Sequence, residues 1–248
     1  MPDLSQCRLC GGTGQLVRSH AIPRAALKKT KCSGKNIALE NGRVNENHQS
    51  DGNTHLLCSA CDNEFLGALF DSRGVELLSR VSAGERFLKS TAVDVADLMA
   101  GWVLSILWRA HHLQTPQYLG FALPLDIEQQ LRKSLLGQKE SPSSHIKWSK
   151  MAVISIYRLV DNHAKVSDHA LYAAFPSSFL ISTKAGQVAC SMFRMLGFEF
   201  RVVHQRRRQF GPKGRDREVL KSGKSVFLKD YHFMDNDVYA EMMTQFLV

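Results

Sequence analysis

Four cysteines stand in two matched pairs, Cys7 with Cys10 in "CRLC" and Cys58 with Cys61 in "CSAC". Each pair has the spacing of a metal knuckle. Tetrahedral zinc takes four soft ligands, and two knuckles brought together supply them. The remaining two cysteines, Cys32 and Cys190, read as small buried hydrophobes. The opening "MPDLSQCRLC" has neither the charged nor the apolar region of a secretory leader. The expectation is therefore a cytoplasmic, reducing location, where this spacing favours structural Zn²⁺ over disulfides.

Close to the knuckles lie side chains that handle protons and hard cations. His20 sits in "SHAIP", and Asp62, Asn63 and Glu64 follow Cys61 directly. A neutral imidazole, with an unperturbed pKa of about 6.5, suits a general base near neutral pH. Asp62 is a hard oxygen ligand, appropriate to Mg²⁺ or Mn²⁺. Taken singly, a turn histidine is most often structural, and a carboxylate at a helix start most often complements the dipole. What gives them a catalytic reading is the resemblance carried by the residues around them.

The set His20, Asn53, Cys58, Cys61 and Asp62 resembles the HNH endonuclease family, whose site is a ββα-metal finger. "SHAIP" matches the family's histidine and Ile-x-Pro turn, and Asn53 precedes Cys58 at the family's distance. More closely, "CxxCG", "SHxIP", "QxDG" and "LLCxxCxxxF" look like a bacterial subgroup with Ser-His in place of Asp-His. "SILWRAHH" resembles a helix of the same subgroup. The likeness is close over about residues 7 to 70 and loose beyond. It implies a treble-clef-like ββα-metal module, a structural zinc on the four cysteines and one catalytic Mg²⁺ or Mn²⁺. It also implies His20 as base, Asp62 as metal ligand and Asn53 as orienting residue. Two departures stand out: Ser19 occupies the place of a metal-ligating carboxylate, and Asp62 that of the last histidine. The loop between His20 and Asn53 is long, so Asp51, His48, His55, Asn63 and Glu64 stay open as alternative ligands.

These residues need a scaffold. The chain has 248 residues, enough for one large domain or two modest ones. Residues 1–75 are polar and poor in periodic apolar stretches, so a metal is expected to hold them together. Residues 76–248 are expected to form an α+β domain, helix-rich first and with a small C-terminal sheet. Helical spacing predicts a helix over 91–113, with apolar residues on one face and a capping box of Thr91 and Asp94. A second helix is expected from Asp126 to Leu136, stopped by Gly137, before a surface linker over 137–144. "MAVISIYRLV" reads as a buried strand, "FEFRVVH" as a half-buried one, 37–39 as a short strand and 236–247 as a closing helix.

The formal net charge is +9, so an anionic partner is expected. Residues 201–224 hold nine Lys or Arg against two acidic residues, and Lys28, Lys29, Lys31 and Lys35 form a second basic run. Arg206, Arg207, Arg208, Lys213 and Arg215 are the candidate phosphate contacts. No stretch reaches the roughly 18 apolar residues of a membrane span. His111 and His112 end the predicted long helix, where cations complement the dipole, and Arg109 either reaches the finger or pairs with a carboxylate. The expected function is a metal-dependent HNH-type endonuclease on DNA; the subgroup points to phage defence or a mobile element. The alternative is a catalytically silent zinc module that binds nucleic acid or a partner protein.

Overall fold

The computed structural model describes residues 5–30, 38–40, 43–45, 53–81, 87–89, 94–113, 115, 118, 120–141, 146–160, 178–181, 190–204, 225–227 and 229–232. Candidate contacts Arg206, Arg207, Arg208, Lys213 and Arg215, the expected closing helix over 236–247, and Cys32, His48 and Asp51 lie outside these residues. The architecture is α+β with a cluster of four cysteines near the N-terminus. No helix among the described residues is long and apolar enough to cross a membrane.

The N-terminal part starts with two short strands, β1 (Ser5–Gln6) and β2 (Thr13–Gly14), paired around the first knuckle. Gly11 takes φ +76° there, a left-handed conformation that closes the knuckle and suits a residue without Cβ. β3 (Leu16–His20), α1 (Arg24–Thr30), β4 (Ala38–Glu40), β5 (Arg43–Asn45) and β6 (Asn53–Cys58) follow. β3 pairs antiparallel with β6, so the strand ending in His20 lies beside the strand that leads into the second knuckle.

A π-helix, Ala60–Asp71, then leads into α2 (Ser72–Ser79). Hydrogen bonds from residue i to i+5 give this wide helix roughly 4.4 residues per turn, and runs of such length are rare. Two wide turns carry the chain from Asp62 to Asp71 and return to the same side. In an α-helix the same stretch would make about two and a half turns and end on the opposite side.

β7 (Phe87–Lys89) pairs with β12 (Ser225–Phe227), and α3 (Val95–His112) forms the centre of the molecule. Asp94 caps α3, accepting from the Asp97 amide at 3.0 Å, while Thr91 of the expected capping box lies outside the described residues. The one-faced apolar pattern expected for this helix is too narrow, because α3 is buried almost all round from Val95 to Ala110. Partners on several sides account for this. Gly101 lets Phe70 and Trp148 approach the helix backbone, where a Cβ would lie 2.5 Å from Phe70. Trp102 meets Phe200 edge-on at 6.4 Å, and its indole lies over Gly74 of α2, where a Cβ would come within 2.2 Å.

α4 (Leu125–Glu140) runs through Gly137, which does not stop it; Ser141 is the cap and its amide donates to the Gly137 carbonyl at 3.0 Å. The extra turn is held because Lys139 reaches the cysteine cluster. The C-terminal sheet has the order β13-β8-β11-β10-β9, from β8 (Ala152–Val160), β9 (Ser178–Ile181), β10 (Cys190–Met195), β11 (Phe198–His204) and β13 (Lys229–His232). β13 runs parallel to β8 and the other pairs are antiparallel. Phe198, Phe200, Val202 and His204 are buried as their alternation predicts. Glu199 is buried as well, because Arg194 and Arg201 both donate to it at 2.6 Å.

Candidate metal centre and the Ser19–Asp62 site

The four knuckle cysteines converge. Their sulfur atoms all lie within 4.8 Å of one another, and Cys10 and Cys58 are 3.9 Å apart. Sulfur atoms at about 2.3 Å from a tetrahedral zinc stand at separations of this order. The donor set is soft and complete, so the residues fit a structural Zn²⁺. Hydrogen bonds prepare the site. Burial pushes the Cys7 thiol up, but amides of Cys10, Cys58 and Leu9 outweigh it and bring the thiol down to about 7. Burial and the neighbouring sulfurs push Cys61 up.

α4 supplies two further contacts. Lys139 donates to Cys61 and faces Cys10 and Cys58, which offsets the net negative charge of four thiolates on one Zn²⁺. Arg132 donates from Nε to the Arg8 carbonyl at 2.9 Å, tying the first knuckle to the same helix. Neither residue was legible as part of the zinc site, since their only sequence signal is position on a helix far along the chain.

Beside the knuckles, the structure brings Ser19 and Asp62 together. Ser19 is fully buried on β3, and its hydroxyl interacts with the Asp62 carboxylate. The same hydroxyl also faces the Val17 carbonyl, but at 3.4 Å that bond is marginal. Asp62 stands in the first turn of the π-helix, and its Oδ1 is buried with no hydrogen-bond partner among the described residues. Burial raises its carboxyl above the ordinary range; the Arg109 guanidinium and Ser19 draw it down, and Asp71 pushes it up.

Arg109 pairs with a carboxylate, that of Asp71, and its charge also acts on Asp62. It is 2 % exposed and donates two parallel hydrogen bonds to Asp71, at 2.9 and 2.7 Å. Trp102 Nε1 donates to the same carboxylate at 3.1 Å. Burial opposes the Arg109 charge, but Asp71 and Asp62 more than offset it and hold the guanidinium protonated. Asp71 is a site residue that sequence reasoning missed, because its relation to Asp62 depends on the π-helix. Tyr118, after α3, is buried and receives the Ile22 amide hydrogen bond, which anchors the "SHAIP" turn; burial pushes its hydroxyl up to about 12.

His20 lies at the end of β3 directly opposite Asn53, and is half-buried with a covered Nε2. The described alternatives are arranged differently. His55 is exposed opposite Arg18, Asn63 is exposed and donates to Ser59 at 3.2 Å, and Glu64 is exposed. The helix-end histidines are structural, as expected. Burial lowers both, His111 Nδ1 accepts the Leu123 amide at 3.1 Å, and His112 bonds Glu128 at 3.0 Å. They join α3 to α4.

For a catalytic Mg²⁺ or Mn²⁺, Asp62 provides one desolvated anionic oxygen and Ser19 a neutral hydroxyl. That is a sparse set of two buried oxygens, fewer than the roughly six a hard divalent ion takes up. No family model, curated protein or solved structure matches this chain.

Proposed function

We propose that the protein is a metal-dependent phosphodiesterase of HNH type acting on DNA, built on a zinc-held ββα-metal module. The carrying observation is the Asp62 Oδ1 atom, buried and without a hydrogen-bond partner among the described residues. A buried carboxylate in that condition is costly unless something cationic satisfies it. Arg109 gives its two carboxylate hydrogen bonds to Asp71 and none to Asp62 Oδ1, which leaves that oxygen for a divalent ion. The neighbouring Ser19–His20 dipeptide and the facing Asn53 support the same reading.

Mg²⁺ or Mn²⁺ held at Asp62, with Ser19 beside it, would relieve charge on the phosphoryl group and on the leaving oxygen. His20 accepts a proton from the attacking water as its oxygen bonds to phosphorus. The bond from phosphorus to the 3′ oxygen breaks, and that oxygen takes a proton from solvent. Asn53 steadies the strand end that carries His20.

Plasmid digestion in Mg²⁺ or Mn²⁺, with and without chelator, tests this. His20→Ala should lose roughly 10²- to 10⁴-fold in rate while keeping zinc and DNA affinity. Asp62→Ala should recover in part with excess Mn²⁺, and Ser19→Asp should keep or raise activity. His20→Ala cutting at the wild-type rate overturns the mechanism. The second reading, a silent binding module, is favoured by the lack of a carboxylate at Ser19. Its signature is DNA binding without cleavage in any divalent cation.

A further inference from the structure

The β3–β6 ribbon carries two neighbouring cross-strand rungs. His20 faces Asn53, and Arg18 faces His55. The one shift in pairing falls between Val17 and Arg18, so the register between these two rungs is regular. Residues two apart on a strand share a face, and so do residues directly opposed. Arg18 and His55 are both exposed, whereas Ser19, between them and the terminal rung, is buried on the reverse. The rungs stand roughly 6.6 Å apart, at about 3.3 Å per residue. That separation is comparable to the spacing of neighbouring phosphates along one nucleic-acid strand.

Glu40, Glu46 and Asp51 lie in the segment between β3 and β6, but the two strands and α1 themselves carry no acid. From residue 4 to residue 39 the sequence has no Asp or Glu and seven Lys or Arg. Residues 53–61 add no acid, and the next carboxylate, Asp62, faces inward to Ser19. Arg24 and Lys28 of α1, directly after the "SHAIP" turn, are exposed. The described residues of β3, α1 and β6 include Arg18, Arg24, Lys28 and Lys29 and no acid, a positive strip for an approaching polyanion.

We propose that the Arg18–His55 rung seats the phosphate next to the scissile one, so that the substrate strand runs along the outer face of the ribbon towards His20. This rests on the phosphodiesterase reading and adds the line along which substrate enters. Arg18 presents a planar fork suited to two phosphate oxygens, and His55 donates a hydrogen bond from the opposite strand.

The test measures binding of a fluorescent DNA duplex in Ca²⁺ across a salt series, and cleavage in Mg²⁺. Because Arg18 is exposed, Arg18→Gln should fold with an unchanged Tm. It should bind more weakly at low salt, with the slope of log affinity against log salt smaller by about one. KM should rise while kcat holds, and Arg18→Lys should restore most of the slope. Unchanged affinity and slope in Arg18→Gln overturn the rung. If the wild type binds but does not cut, the nuclease reading falls and the slope alone judges the rung. If the wild type binds no duplex, both fall.

Discussion

Arg109 on α3 grips Asp71 at the end of the π-helix through two parallel hydrogen bonds, of 2.9 and 2.7 Å. The pair joins the helix that follows the zinc knuckle to the central helix. Removing one partner of a buried pair leaves the other charge unsatisfied, at a cost of about 3–5 kcal/mol. Asp71→Ala should therefore lose stability in that range. Arg109→Met with Asp71→Leu should cost clearly less than the two single changes summed. Urea unfolding of the four proteins measures it, and strict additivity would show that the two groups do not interact.

Zinc should be present at one ion per chain. Stripping it with a strong chelator should lower Tm and open the native protein to thiol labelling at Cys7, Cys10, Cys58 and Cys61. Elemental analysis and labelling of the untreated protein check this. Zinc-free protein with four reactive thiols would end the structural-zinc assignment.

Two helical glycines should respond in opposite directions to alanine. In Gly74→Ala the new Cβ would meet Trp102 at 2.2 Å. Overpacking costs about 1–3 kcal/mol, more than the helix gains from alanine. Gly137→Ala meets nothing within 4 Å inside α4. It should stabilise by up to about 1 kcal/mol. Denaturant midpoints give both signs.

His204 should make the protein acid-sensitive. Its Nε2 lies 2.9 Å from the Ser191 hydroxyl, and burial lowers its pKa to about 4, against a weak upward pull from Asp126. The unfolded chain takes up this proton near pH 6.5, the folded chain only near 4. The stabilisation is complete above pH 6.5 and fades as pH falls towards 4, by up to about 3 kcal/mol. His204→Asn should shrink the stability difference between pH 7.5 and 4.5. An identical difference in wild type and variant would place the acid sensitivity elsewhere.

Much of the fold can be read from local pattern. β8 and β11 follow runs of apolar and β-branched residues, and α3 follows helical spacing. The cysteine cluster follows from two short spacings. What local pattern does not carry is long-range pairing. The burial of Glu199 depends on Arg194 and Arg201, and α4 outlasts Gly137 because of a contact with Cys61. Asp71 belongs to the Asp62 neighbourhood only through a helix whose turn is wider than the one any α-helical reading assumes.

That wide helix also makes the segment intolerant of changes in length. Where an α-helix ends in a loop, a lost residue is absorbed by the loop. Here both ends are fixed, by Cys61 at the cluster and by Asp71 in the grip of Arg109 and Trp102. Deleting one residue between Asp62 and Asp71, even an exposed one, would put the two carboxylates out of phase on the helix. Substitutions on the outer side of the same segment leave that phase unchanged. The spacing between these two aspartates, more than the identity of the residues between them, is what evolution or an engineer would have to preserve.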